Sequence, residues 1–423
     1  MTIDWRKGNR EDICYGVLVD PVNLDKEFER VDIGEFSISS NYYTDERVSG
    51  QISPPPSFRP VGNRLLRIYM ESTAQNGERA KTELGTFFMR RTQTTLSKGA
   101  KVRDIELHST IWKYVNDWCL ADYLWPAGTD ALAALMSQRN KTIGTIDDIR
   151  GVKPVRLREP VAWQSGTNAL KIANWFADYL GAEALNVDTH GRIFITPYIL
   201  PDKRPVVWTF EDGVNCMYVD EYIVDSNEDD IPNYVAINLR NGDYCYKAKR
   251  LLPASSPYSV EQRGRLVTAH YEYSELPLAV GDWAICTRAG KIYQSKDTAS
   301  AVVHETWVGG GSRCTKPQEG EWLWVSWQQG QYYYGWAKAK DFVSIDAADK
   351  RADAIFSKIL SLAISIEIQH HYAPIKIGDA VRFKRGNTDI VGIVHAMEME
   401  GTSGLVTNTV LDVLGGALGD VYP

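Results

Sequence analysis

Apolar and polar positions alternate in short pieces between residues 11 and 50, for example in Tyr15-Gly16-Val17-Leu18-Val19 and Phe36-Ser37-Ile38-Ser39. Period two of this kind predicts half-buried strands broken by turns. Ser53-Pro54-Pro55-Pro56-Ser57 must be a loop, because proline lacks the amide donor that a sheet ladder needs. Leu65-Leu66-Arg67-Ile68-Tyr69-Met70 and Leu84-Gly85-Thr86-Phe87-Phe88-Met89 then read as two strands around the polar turn Gln75-Asn76-Gly77-Glu78. The first hundred residues are therefore expected to be a small antiparallel β domain.

After that the period lengthens. From Ser109 to Leu124, Ile111, Trp112, Val115, Trp118, Cys119 and Tyr123 recur at steps of three and four, which predicts an amphipathic helix capped by Ser109 or Thr110 and stopped at Pro126-Ala127-Gly128-Thr129. A short helix follows over Asp130 to Ser137. A third is predicted over Gly166 to Leu180, with Thr167 or Asn168 as cap and Gly181 at its end. Leu185-Asn186-Val187 and Arg192-Ile193-Phe194-Ile195-Thr196 flank Asp188-Thr189-His190-Gly191 as a hairpin.

Tyr234 to Leu239 and Tyr244 to Ala248 form two more strands joined by Asn241-Gly242, and a strand resumes at Arg265-Leu266-Val267-Thr268 after a Pro- and Ser-rich loop. Asp346 to Gln369 is the longest helical pattern. Its β-branched end, Ala363 to Ile368, predicts that the helix gives way to a strand there. The chain closes with strands around Val381-Arg382-Phe383, Ile390 to Val394 and Thr409 to Val413.

Composition changes the picture in one place. Six of the 13 tryptophans, Trp283, Trp307, Trp322, Trp324, Trp327 and Trp336, fall between Val280 and Ile345, as do Tyr293 and Tyr332-Tyr333-Tyr334. Short alternating pieces with aromatic-rich turns have the size and texture of a small barrel. Period two sorts Trp322 to Trp327 into a wholly apolar face of Leu323, Val325 and Trp327, the expected core, and an opposite face of Trp322, Trp324 and Ser326, expected on the outer surface. Three successive tyrosines cannot all be core. Trp322, Trp324, Tyr332, Tyr333 and Tyr334 are thus the candidate contact residues for a ligand or partner. A tiny barrel also needs large rings simply to fill its interior.

The whole chain has 423 residues, 44% hydrophobic and 24% charged, with a formal net charge of -7, which is globular composition on a length suited to several domains. An acidic balance argues against general nucleic-acid binding, which needs clustered Lys and Arg. No apolar run spans a bilayer, and Met1-Thr2-Ile3-Asp4-Trp5-Arg6 lacks the layout of a signal peptide, so synthesis in a cytosol without ordinary export is expected.

Cys14, Cys119, Cys216, Cys245, Cys286 and Cys314 show no paired spacing and read as small buried hydrophobes, and the dispersed histidines, the adjacent His370-His371 included, form no metal signature. No nucleophile elbow, zinc-protease, P-loop or dinucleotide motif occurs. Glu228-Asp229-Asp230 reads as a solvated turn, Gly309-Gly310-Gly311-Ser312 as a flexible loop tip and His190 as a solvated turn residue rather than a base. No catalytic residue, metal or cofactor is expected.

Several phrases, taken in order, resemble the baseplate hub and tail-tip proteins of tailed bacteriophages. Gly34-Glu35-Phe36-Ser37-Ile38-Ser39 with Asp45-Glu46-Arg47-Val48-Ser49-Gly50 looks like the family's opening strand pair, and Leu84-Gly85-Thr86-Phe87-Phe88 like its LGTF strand. Ile111 to Leu124 with Pro126-Ala127-Gly128-Thr129 resembles its helix and loop. Val187-Asp188, Gly191-Arg192 and Pro197-Tyr198 resemble its hairpin. Asn233-Tyr234-Val235, Ser256-Pro257-Tyr258-Ser259, Arg263-Gly264-Arg265 and Ile377-Gly378-Asp379-Ala380-Val381 resemble its later blocks. Gly335-Trp336-Ala337-Lys338-Ala339-Lys340-Asp341-Phe342-Val343 resembles the closing strands of bacterial SH3-like modules.

The resemblance implies a mainly β fold with α insertions (α+β), made of β-barrel domains of tail-hub type plus a small SH3-like barrel. The expected units are an N-terminal β-barrel over 1–105, a helical insert over 106–165, an α+β domain with the hairpin over 166–280, the inserted aromatic module over 281–345, and a helix with closing barrel strands over 346–423. It also implies a homotrimeric ring at the virion's tail tip, made in the host cytoplasm. The ring would contact tail tube or distal tail protein on one side and a spike or fibre on the other. Host cell-wall polysaccharide is a candidate ligand of the module, and no fused cell-wall hydrolase is expected. The competing hypothesis, from another class, is a cell-wall-binding or cell-wall-degrading enzyme that uses the module as its anchor. A ring that still assembles without residues 281–345 is expected on the first hypothesis.

Overall fold

Side chains that alternate along the N-terminal third give seven strands: β1 (Arg10–Val19), β2 (Glu27–Val31), β3 (Glu35–Asn41), β4 (Val48–Ser53), β5 (Leu65–Ala74), β6 (Arg79–Ser97) and β7 (Ala100–Ser109). The computed structural model describes all residues except 1–2, 6–9, 61, 98–99, 138–145, 214–216, 227–230, 242–243, 257, 274–275, 362–363, 402–404 and 415–423. Leu18, Ile38, Ile52, Leu66, Ile68 and Phe87 turn inward from these strands into one core. The prolines after Ser53 lie in a loop, as expected.

The helix predicted from Ser109 is a correction. Only α1 (Trp112–Val115) forms, and the chain then leads into β8 (Tyr123–Trp125). Backbone groups that a longer helix would have used are spent elsewhere: the Cys119 amide donates to the Thr167 carbonyl, the Gly166 amide to Cys119, and the Ala169 amide to Asp117. Leu120, 93% exposed, and Leu124 therefore face outward and do not extend an apolar stripe. Helix α2 (Ala131–Ser137) forms as predicted, with the Asp130 carboxylate accepting from the Leu132 and Ala133 amides. Strands β9 (Ile146–Ile149) and β10 (Val161–Trp163) follow, then α3 (Ala169–Tyr179), capped by Asn168 as predicted. Buried Ile111, Tyr114, Leu135, Leu170, Phe176 and Ile193 join these pieces in a second core. Hairpin strands β11 (Asn186–Val187) and β12 (Ile193–Ile195) flank the predicted turn.

Strands β13 (Val206–Glu211) and β14 (Tyr218–Ser226) were not expected from the pattern. Strands β15 (Tyr234–Asn241) and β16 (Tyr244–Leu251) pair antiparallel as predicted, though Gly242 of their turn lies outside the described residues. After α4 (Val260–Arg263), β17 (Thr268–Tyr273) returns parallel to β15. The aromatic segment folds into β18 (Trp283–Cys286), β19 (Gly290–Tyr293), β20 (Val302–Thr306), β21 (Gly311–Cys314), β22 (Trp322–Gln329), β23 (Gln331–Lys338) and β24 (Phe342–Ser344). These seven make a sheet of their own, in the order β20-β19-β23-β22-β21-β18-β24. Helix α5 (Ile345–Ser361) then stops short of the β-branched run, which becomes β25 (Ile364–His370), ahead of β26 (Ala380–Arg385), β27 (Thr388–Gly401) and β28 (Leu405–Val413).

The two ends of the chain meet in one 13-stranded sheet, ordered β14-β25-β28-β27-β3-β4-β7-β6-β5-β1-β2, with β26 also on β27 and β13 parallel to β26. The junction is β27. Before the irregularity between Val394 and Ala396 it pairs with β26, and after it with β3, while β28 runs beside both parts. Such an interruption of the ladder bends a strand and lets it serve two neighbours. The path ends at β14 and β2 without closing on itself among the described residues.

Candidate functional site

Strands β22 and β23 form a hairpin about Gly330. Its register sets Trp322 opposite Lys338, Trp324 opposite Trp336, Ser326 opposite Tyr334 and Gln328 opposite Tyr332. Leu323, Val325 and Trp327 share the inward face and are completely buried, as the alternation predicts. Tyr333 lies on that inward face too. Its ring stacks on His304 at 4.1 Å and packs against the module's core, which removes it from the outward set.

The outward face carries the other candidates, but not as freely exposed tryptophans. Trp322 is only 8% exposed, because Tyr293 meets it edge-on at 5.7 Å and the Lys338 ammonium stands 3.8 Å over the ring. Trp324 is half-buried, with Trp336 edge-on at 5.1 Å and the Lys316 ammonium 3.8 Å above it. Tyr332 and Tyr334 are the open members, 57% and 53% exposed, with near-parallel rings 6.2 Å apart. Trp336, Lys296, Lys316 and Lys338 belong to this surface and were missed. Pairing the two strands about Gly330 would have found Trp336 and Lys338, whereas Lys296 and Lys316 arrive from other loops.

The result is a stripe about 20 Å long, at roughly 3.4 Å per strand residue. Its Trp324, Tyr334 and Tyr332 rings are bordered by Ser326 and Gln328. Flat apolar faces beside amide, hydroxyl and ammonium groups suit stacking on a sugar or another ring with hydrogen bonds at its edge.

Three further expectations change. His190 is not a solvated turn residue: one ring nitrogen lies 3.2 Å from Glu83 and the other 3.0 Å from Asp25, and its side chain is 20% exposed. Fully buried Arg67 donates to the His190 carbonyl at 3.0 Å, and the Thr86 hydroxyl donates to Thr189 at 2.8 Å, so the β11–β12 turn is docked on the N-terminal strands. Gly191 has φ +90, and a Cβ there would stand 3.0 Å from Thr86, which is why the docked turn uses glycine.

Gly309-Gly310-Gly311 is not a loose tip either. A Cβ on Gly310 would come within 2.2 Å of the Trp327 ring, so glycine allows backbone and indole to touch. Cys286 and Cys314 are buried as expected, but Cys14, Cys119 and Cys245 are only half-buried, and Cys216 lies outside the described residues. Burial pushes the Cys314 thiol up to about 11, far from a reactive thiolate. Glu228-Asp229-Asp230 also lies outside the described residues. Among the described residues no three His, Cys, Asp or Glu side chains are grouped to hold a metal ion, and no helix is long and apolar enough to cross a membrane.

No protein-family model and no curated protein matches the chain. Solved structures do. The tail protein from Neisseria meningitidis MC58 superposes with a TM-score of 0.58 at 11% identity, over 98% of this chain and 100% of that one. The 43 kDa tail protein of prophage MuSo2 from Shewanella oneidensis gives 0.54 at 11% identity, over 94% and 98%. The chain therefore has the fold of these tail proteins over nearly its whole length.

Proposed function

We propose that this chain is a structural subunit of a phage tail, a trimeric ring at the distal end that joins tail tube or distal tail protein to a spike or fibre complex. The observation that carries this reading is the end-to-end sharing of fold with two tail proteins. A ring needs one face of the subunit to meet a different face of the next, and a broad sheet carrying a separate module has distinct faces to offer. The subunit is made in the host cytoplasm, built into the virion and carries no catalysis of its own. Residues 281–345 form an SH3-like module, and its Trp324, Tyr332 and Tyr334 stripe takes host cell-wall polysaccharide. The open pair of tyrosine rings with flanking polar side chains supports that assignment.

Purified virions probed with gold-labelled antibody to the chain should carry label at the tail end in electron micrographs, and the isolated protein should sediment at three times the chain mass. Label elsewhere or none, or a monomer that degrades cell-wall material, would overturn the reading.

A further inference from the structure

The loop between β3 and β4, the end of α3 and the middle of α5 enclose a cleft of about 570 Å³, within the size range of small-ligand sites. Its wall includes three guanidinium groups, and two of them are accounted for. Arg204 pairs with Glu183 at 2.7 Å and donates to the Tyr42 hydroxyl at 3.0 Å. Arg351 pairs with Asp178, which is half exposed. Arg47 is different. It is 6% exposed, has no carboxylate within ion-pair distance among the described residues, and its Nη1 has no hydrogen-bond partner among them. The Tyr42 ring lies 4.6 Å from its guanidinium carbon.

A buried cation without a counter-ion is unfavourable, and desolvation pulls the Arg47 guanidinium below its ordinary range. The Glu183 charge and the Tyr42 hydroxyl oppose that shift without forming an ion pair with Arg47, and Glu183 is itself engaged by Arg204. Asp45, also in the wall, is exposed, where water and salt screen it. Arg47 is moreover the one non-glycine residue with positive φ among those described, at +62, a backbone conformation that ordinary side chains adopt only at a cost. The fold thus holds a strained residue in place to set an uncompensated charge in the wall of a cleft. Tyr198 stands in the same wall, and burial pushes its phenol up to about 12, so it remains a hydrogen-bond donor at neutral pH.

We propose that this cleft is a binding site for a carboxylate-bearing small ligand, with Arg47 supplying the charge and Tyr198 a hydrogen-bond donor. One unpaired guanidinium among two satisfied pairs matches a single negative charge, and a planar carboxylate suits the guanidinium fork. The acidic groups of Asp45, Asp178 and Glu183 in the wall disfavour a phosphate dianion.

The test titrates the full chain with butyrate, acetate or inorganic phosphate against chloride at constant ionic strength, reading heat of binding and thermal midpoint. Butyrate and acetate should bind saturably and raise the midpoint above the chloride control. Arg47→Met should weaken carboxylate binding at least tenfold and, without ligand, should melt higher than the parent because the uncompensated charge is gone. Tyr198→Phe, which keeps the ring, provides a second variant and should weaken binding severalfold. Absence of saturable carboxylate binding, tighter binding of phosphate, or unchanged affinity in either variant would overturn the proposal.

Discussion

His370 shows how one residue's surroundings become a pH dependence. Its ring is buried in β25, with one nitrogen 2.7 Å from the Thr409 hydroxyl and the other against the His371 carbonyl. The carbonyl can only accept, so Nδ1 donates to it and Nε2 accepts from Thr409, which is the neutral imidazole. Burial pulls the pKa from 6.5 to about 4, although the His371 carbonyl bond opposes the shift. The unfolded chain then takes up a proton below 6.5 that the folded chain refuses until about 4. Stability is lost as pH falls through that window, by about 3 kcal/mol in all, and no further below it. Urea unfolding at pH 7 and pH 4.5 should show a larger loss for the parent than for His370→Asn, which cannot be protonated there. Parallel losses would show that this imidazole is not the responsible group.

The aromatic stripe allows a similar separation of roles. Tyr334→Ala removes an open ring and should weaken cosedimentation with cell-wall polysaccharide roughly fivefold, about 1 kcal/mol, with little change in melting. Trp322→Ala removes a covered ring and should instead destabilise the fold by about 3 kcal/mol or more. The reverse pattern would mean that the tyrosines are structural and Trp322 is the contact. Period two was enough to separate Leu323, Val325 and Trp327 from Trp322 and Trp324. It could not reveal that Tyr293 and Lys338 cover Trp322, nor that His190 finds Glu83 and Asp25, which lie 107 and 165 positions away in sequence. Such cover is supplied by other elements and leaves no local periodicity.

Among the elements, those with a clean period and a cap were legible. Helix α3 has its Asn168 cap, and the switch from α5 to β25 follows the β-branched run. The false helix from Ser109 arose because apolar residues at helical spacing also fit an irregular loop whose backbone bonds to residues 166–169. Strands β13 and β14 were missed because they are defined by partners, β26 and β25, far along the chain.

The module illustrates both limits. Its strands pair only with one another, which its composition had suggested, but its attachment was not visible in sequence. Ile285 and Val343 share a core with Ile237, Leu239, Ala348 and Ala352, buried Arg158 donates to the Phe342 carbonyl, and Gln318 donates to the Leu157 carbonyl at 3.0 Å. Deleting residues 281–345 with a short Gly-Ser bridge should leave the 13-stranded sheet, and the proposed ring assembly, intact. Hydrogen-exchange protection should fall in α5, β15 and the segments 128–137 and 146–159. Loss of protection in β25–β28 as well would mean that the module is needed by the whole fold.

At the scale of the molecule, β27 decides whether the expected N-terminal unit over 1–105 can stand alone. Its Met397 belongs to the core of the C-terminal strands and its Met399, two residues on, to the core of β1–β7, which Leu405 of β28 also enters. Six register pairs, from Ala396 with Asn41 to Gly401 with Phe36, tie β27 to β3. A fragment of residues 1–109 keeps all seven N-terminal strands but loses this partner. Its β3 edge is then an unpaired ladder, and Phe36, Ile38 and Ile52 lose the cover of Met399 and Leu405. Two buried apolar side chains are worth about 2–5 kcal/mol each on truncation, which is comparable to the entire stability of a small domain. The fragment expressed alone should aggregate or give the spectrum of an unfolded chain. Co-expression with residues 110–423 should yield a soluble one-to-one complex, because the missing strand is then supplied from the second piece. A monodisperse, folded 1–109 fragment with dispersed amide resonances would show that the β3–β27 ladder joins two self-sufficient domains rather than completing one.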